Sequence, residues 1–317
     1  MPKKNKRTST AADSLRILRG GKAPPRDALE RCMTDMQQKR AAQLERVIAT
    51  ERQMGKHLDL VQSSFVNLKD PRVARSLDGL LRMHQRLAKQ RLAIPKTPRG
   101  LTSLLPGRIS VGVVPPFDFD HVLFGSGTGS NIAAREAQAD RRTGQISVSA
   151  ISSPAGEGGG SAYGVVGLYF HPMAAGRLTV RATPTYSYQW WTNSIRPTAR
   201  VRSSGNLALT IYAVDAYADT TGEVGTILDT ASANIFNWSE EQTSEVRFDF
   251  KFDLQTPAVV SIDVTHTLVY YLFIEAQAGV HSVGWKPGAP GSIAGSKLSL
   301  AVPSIAYDYE VQPVLQQ

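Results

Sequence analysis

One cysteine, Cys32, occurs in 317 residues. That scarcity excludes an intramolecular disulfide, so folding does not depend on an oxidising compartment. The expectation is synthesis in a reducing cytoplasm, followed by release or by incorporation into a particle or appendage. Cys32 lies in a predicted helix beside Met33 and Met36, which reads as packing rather than nucleophilic chemistry. No apolar run approaches the roughly 18 residues of a membrane helix, so membrane spanning is not expected. The opening MPKKNKRTST is basic but has no apolar region after it, so it does not read as a secretory signal.

Metal and catalytic signatures are equally sparse. The six histidines (His57, His84, His121, His171, His266 and His281) include no i, i+4 pair, and no second cysteine joins them. Structural zinc is therefore not expected. There is no G-x-S-x-G elbow. GSGTGSN (125–131) lacks the Lys-Ser/Thr of a phosphate loop, and with GEGGGS (156–161) it reads as an exposed loop. FDFDH (117–121) sets Asp118 and Asp120 two residues apart, a weak candidate for a cation site. A hard cation takes six or more oxygens, so a polar strand face is the better reading. No acid, base and nucleophile come together, and the chain reads as non-enzymatic, without a cofactor.

Aromatic residues are absent before Phe65, and acidic residues are scarce there too. Residues 1–100 hold 23 Lys/Arg and 9 Asp/Glu, net +14, whereas the remainder holds 13 and 18, net −5. This asymmetry predicts two modules with different jobs. Lys3, Lys4, Lys6 and Arg7 are the candidates for holding a polyanion such as nucleic acid. The lack of aromatics disfavours stacking on single strands.

What is present divides by period. Residues 1–25 form a basic arm with a short helix, and residues 26–92 form a helical module. From Leu44, a heptad pattern places Leu44, Glu51, Leu58 and Phe65 at one seam position, with Val47, Met54, Val61 and Leu68 at the other. Asp70 and Pro71 then open a second helix, predicting a helical hairpin or coiled coil suited to homo-oligomerisation. Residues 93–107, rich in Pro and Gly, read as a linker.

Over 108–317 the period becomes two. Ten segments read as strands: ISVGVV, QISVSAIS, YGVVGLYF, RLTVRAT, TYSYQWW, LALTIYAV, EVRFDFKFDL, LVYYLFIEA, KLSLAV and IAYDYEV. The fold class expected is α+β multidomain, with the helical module followed by an antiparallel, jelly-roll-like β-sandwich. EVRFDFKFDL alternates Val246, Phe248, Phe250, Phe252 and Leu254 with Arg247, Asp249, Lys251 and Asp253, as a half-solvated strand does. LVYYLFIEA is apolar on both faces, so either another element covers its second face or a subunit interface does, and Tyr271 becomes a candidate contact residue.

TYSYQWW (185–191) carries the clearest surface signal. Alternation puts Tyr186, Tyr188 and Trp190 on a core face, leaving Thr185, Ser187, Gln189 and Trp191 outside. A tryptophan on a polar face stacks on a sugar ring, meets a partner subunit, or lies under the following loop. Gln189 and Trp191 are thus candidate ligand or interface residues. Trp238 in FNWSEE and Trp285 in VGWKPG join them from loop-like contexts.

Four segments, VPPFDFD (114–120), RRTGQISVSA (141–150), SAYGVVGLYFHP (161–172) and YQWWTNS (188–194), together resemble a group of uncharacterised bacterial β-sandwich proteins. The resemblance covers the C-terminal half. It implies a sandwich and a bacterial or phage source, and it carries over no functional residue. The function expected is structural or recognition: a helical module that oligomerises or docks, and a sandwich that binds a glycan, a surface or a partner subunit. Two alternatives are a capsid-like protein with a basic nucleic-acid-binding arm, and a pore-forming toxin with a β-hairpin at 144–171.

Overall fold

The computed structural model describes residues 27–34, 38, 42, 108–125, 134–152, 158–194, 200–215, 226–242, 246–283 and 292–311. The basic arm with Lys3, Lys4, Lys6 and Arg7, the heptad segment, the second helix, the linker and Trp285 lie outside the described residues.

Fourteen antiparallel strands dominate the described residues, in three sheets. The back sheet has the order β2-β5-β12-β8-β9, formed by Phe119–Phe124, Gly158–Phe170, Val269–Val283, Arg200–Asp215 and Thr226–Gln242. The front sheet has the order β10-β7-β13-β4-β3, formed by Val246–Gln255, Thr185–Ser194, Ser292–Ala301, Gln145–Ile151 and Ala134–Asp140. The side sheet has the order β1-β14-β6-β11, formed by Arg108–Val113, Ile305–Val311, Gly176–Ala182 and Ala258–Val264.

Front and side sheets form one layer. β6 runs into β7 across Thr183 and Pro184, β10 into β11 across Thr256 and Pro257, and β13 into β14 across Val302, Pro303 and Ser304. Each break holds a proline, which has no N–H to give to a ladder. The long back strands span both sheets, and one core fills the space between the layers: Leu209, Leu272 and Ile274 from the back, Tyr188, Trp190 and Leu298 from the front, and Leu178, Val260 and Tyr307 from the side. The described domain is therefore a two-layer antiparallel β-sandwich.

The far face of the back sheet is also apolar. Val269, Tyr271 and Phe273 of β12 meet Phe119, Val165, Tyr212 and Val214 there, and helix α1 (residues 27–34) covers them with Ala28, Cys32 and Met33. This answers the question raised by the two-sided strand: its second face is covered within the chain. Tyr271 is 1% exposed, so it is not a surface contact residue. Cys32 is fully buried and packs in this cluster, as its neighbours in the sequence indicate. α1, expected at the head of a separate module, packs with the sandwich instead.

Several other expectations change. The toxin hairpin does not form: β4 pairs with β3 and β13 in the front sheet, whereas β5 pairs with β2 and β12 in the back sheet. The cause is compositional. β5 is buried along nearly its whole length and needs cover on both faces, while β4 alternates and suits an outer layer. Gly158–Gly160, expected as loop, opens β5, where a side chain on Gly159 would run into Val280 and His281 of β12. Trp238 sits in mid-strand on β9, 8% exposed, rather than in a loop. Asp118 and Asp120 each hold a backbone amide: Asp118 Oδ2 accepts from Tyr169 N–H at 2.9 Å, and Asp120 Oδ2 from Arg141 N–H at 2.8 Å. Among the described residues, no cluster of three or more His, Cys, Asp or Glu is placed to hold a metal ion. Among them, too, no helix is long and apolar enough to cross a membrane.

Candidate functional site

The site is the outer face of the front sheet, where register places the outward side chains in rows. Phe248, Trp191, Gly295, Ile151 and Ala134 form the first row, and Phe250, Gln189, Lys297, Ser149 and Glu136 the second. Ser187, Ser299, Ser147 and Gln138 form the third, and Gln255, Thr185, Ala301, Gln145 and Asp140 the fourth. The face thus grades from aromatic and apolar at one end to hydroxyl and amide at the other.

Trp191 owes its position to Gly295. A Cβ on Gly295 would fall inside the indole, almost equally close to Cζ2, Cε2 and Cη2. The six-membered ring therefore lies face down on the glycine, with its other face directed away from the sheet. Trp191 is half-buried, while its neighbour Trp190 is buried at 8%. The same device recurs inside the sandwich, where Trp238 occupies the space above Gly205 and stacks on Tyr188 at 5.6 Å. One tryptophan–glycine pair is core and the other is surface.

The polar end is an open groove of about 630 Å³. Its floor is low because its outward residues are small: Ser147, Ser187, Ser299 and Thr185. Gln138, Gln145 and Asp253 stand at its margin, exposed. Ser147 and Ser299 share a hydrogen bond at 3.1 Å. Asp253 sits in a β-bulge after Lys251 with φ of +54°, in the left-handed region, and donates its N–H to Ser187 Oγ at 3.1 Å. Asp140 commits both oxygens to the β3–β4 turn, accepting from Arg142 N–H at 2.8 Å and from the Thr143 hydroxyl at 3.1 Å. Asp253 is then the groove carboxylate left for a ligand.

Strand β10 holds a surprise of orientation. Its alternation is as read from the sequence, but the phenylalanines face out: Phe248 is 68% exposed, Phe250 51% and Phe252 65%. On the other side only Asp249 is half-buried, where Tyr188 donates its hydroxyl to Asp249 Oδ2 at 2.7 Å, while Arg247 and Lys251 stay exposed. Burial, and then this bond to a carboxylate, push the Tyr188 hydroxyl up to about 12. The bulge reverses the alternation, returning Leu254 to the core side opposite Tyr186.

Of the residues nominated from sequence, Trp191 and Gln189 share this face, Trp238 and Tyr271 are buried elsewhere, and Trp285 lies outside the described residues. Sequence reasoning missed the serine floor. Its signal is a Ser or Thr at neighbouring outward positions of β4, β7 and β13 (Ser147, Thr185, Ser187 and Ser299), which matters only once those strands are known to be neighbours.

No protein-family model matches the chain. No curated protein matches it either. Among solved structures, it is similar to the enzymatically active domain of tailspike protein 4 of bacteriophage CBA120 (10% identity, 58% of this chain, 19% of that one, TM-score 0.16). It is also similar to a family 11 carbohydrate-binding module from Clostridium thermocellum (8% identity, 61% of this chain, 95% of that one, TM-score 0.13). A third is the structure of the infectious bursal disease virus Gt strain (12% identity, 71% of this chain, 47% of that one, TM-score 0.15). The chain spans about a fifth of the tailspike domain, and at TM-scores this low none of the three bears on function.

Proposed function

We propose that the sandwich is a non-enzymatic recognition domain that binds carbohydrate on the outer face of its front sheet. The observation that carries this reading is the pairing of Trp191, laid flat on Gly295, with a groove floored by serines two rows away on the same face. A pyranose has an apolar C–H face and a rim of hydroxyls. The indole offers its electron-rich face to the first, Gln189 and Lys297 offer donors and acceptors to the rim of the same sugar, and the serines and Asp253, about 13 Å along the strands, offer theirs to further sugars of the chain. Binding without turnover fits, because glycoside hydrolysis uses a close pair of carboxyl groups, whereas Asp253 stands on edge strand β10 and Asp140 and Glu136 on the opposite edge, β3. In this reading the sandwich is jelly-roll-like, and the basic, heptad-bearing residues 1–100 oligomerise it or dock it to a particle or appendage.

The test is affinity electrophoresis and calorimetry of the full chain against soluble polysaccharides. Trp191→Ala should weaken binding by at least about tenfold, roughly 1.4 kcal/mol, while leaving the melting transition almost unchanged. A polysaccharide bound equally well by the parent chain and by Trp191→Ala would overturn the assignment of this face.

A further inference from the structure

The exposed phenylalanines of β10 lie beside the groove but belong to a different feature. β10 is the edge of the front sheet, and among the described residues no strand pairs with its other side. Phe248 and Phe250 stack with ring centroids 6.4 Å apart, and Phe250 and Phe252 lie 5.6 Å apart, making a continuous aromatic row along that edge. Charge, proline and bulges protect sheet edges, and β10 carries charges on its second side and a bulge at one end, but its outward row of three exposed phenylalanines invites another strand over Phe248–Phe252.

We propose that two copies of this chain pair antiparallel along β10, with the two-fold axis at Phe250, joining their front sheets into one. The register follows from complementarity. Residues that pair across a seam share a face, so the axis must fall where phenylalanine meets phenylalanine and charge meets charge. An axis at Asp249 sets Asp249 against itself and Arg247 against Lys251. An axis at Lys251 sets Lys251 against itself and Asp249 against Asp253. An axis at Phe250 sets Phe248 against Phe252, Phe250 against itself, and Asp249 against Lys251 on both sides of the axis. Moving the axis to Phe248 leaves Phe252 out of the row, and moving it to Phe252 centres the seam on the bulge at Asp253. The Phe250 axis is centred on the regular part of the strand and sets all three rings of each copy in cross-strand pairs. The seam adds strands at the side of the groove and leaves Trp191 open, so it does not depend on carbohydrate binding.

The full-length chain carries the test, because its single native thiol, Cys32, is buried and gives no background. Phe250→Cys places two thiols directly opposite at the axis, where cross-strand Cα separations of about 4.5–5.5 Å suit a disulfide. Phe248→Cys places them four residues apart along the seam, about 13 Å, beyond the roughly 7 Å limit. Mild oxidation should give a disulfide-linked dimer of Phe250→Cys on a non-reducing gel and leave Phe248→Cys monomeric. Adding Lys251→Asp to Phe250→Cys sets acid against Asp249 twice and should cut crosslinking roughly tenfold, whereas Lys251→Arg should preserve it. Failure of Phe250→Cys to crosslink, equal or faster crosslinking of Phe248→Cys, or indifference to Lys251→Asp would each overturn the proposal.

Discussion

Trp191 stands across the β7–β13 ladder from Gly295, and its six-membered ring fills the space a side chain there would take. Gly295→Ala should therefore lift the indole off the sheet. Because Trp191 is only half-buried, the stability cost should stay below about 1 kcal/mol, while carbohydrate binding falls as far as in Trp191→Ala. The inner counterpart should behave differently. Gly205→Ala drives a methyl into Trp238, which is packed among Tyr188 and Phe236, and should cost about 1–3 kcal/mol through overpacking. Urea unfolding of the two alanine variants beside a binding assay separates the surface pair from the core pair.

Adjacent tryptophans on one strand give a second contrast. Trp190 faces the core and Trp191 faces out. Trp190→Ala should cost about 3–5 kcal/mol, the usual penalty for emptying a buried aromatic site. Trp191→Ala should cost well under half of that. Equal losses in thermal or denaturant unfolding would place Trp191 in the core and remove the surface site.

Much of this was legible before any coordinates. Period-two alternation located ten of the strands, including the core face of β7, because a half-buried strand writes its orientation into every second residue. β3, β9 and β11 were missed, and β2 was read only in its first residues, through FDFDH. β3 (AREAQAD) and much of β9 (TILDTASANIFNWSEEQ) are rich in Ala, Asn, Asp and Glu, and form because a neighbour supplies a ladder. β10 was recognised without its inward face being fixed, since alternation tells which residues share a face and not which face is inside. The hydrogen bond from Tyr188 to Asp249 and the bulge at Asp253 decide that, and both depend on pairing. The serine floor was invisible for the same reason: it is assembled from three strands far apart in sequence.

The Tyr188–Asp249 bond sets a pH dependence. The folded protein holds the Tyr188 proton up to about pH 12, above the ordinary 10, chiefly through burial and then through the bond to Asp249. A group whose folded-state affinity for its proton is raised gives stability that is intact below pH 10 and lost as pH climbs from 10 towards 12. Tyr309, pushed upward by burial and by Tyr270, adds to the same loss. Denaturant midpoints should fall across that window, and Tyr188→Phe, which has no proton to lose, should fall less steeply than the parent chain. Parallel curves would mean that Tyr188 is not what destabilises the protein in alkali.

The last prediction concerns α1 and the far face of the back sheet. Val269, Tyr271 and Phe273 are almost completely buried, and Ala28, Cys32 and Met33 pack in the same cluster. If that packing holds the helix to the sheet, Met33→Ala should cost about 2–5 kcal/mol, as deletion of a buried methionine side chain does. Cys32 should react with a thiol reagent only as fast as the chain opens, and Met33→Ala should speed that reaction. A chain beginning at residue 105 would leave the apolar end of β12 without this cover, and it should bind a hydrophobic dye and associate in light scattering. The sizes of the effects discriminate. If Cys32 is modified at once in the native protein, or if the shortened chain melts like the full one and stays monomeric, then α1 is not a structural part of the sandwich and the second face of β12 is again free to meet a partner.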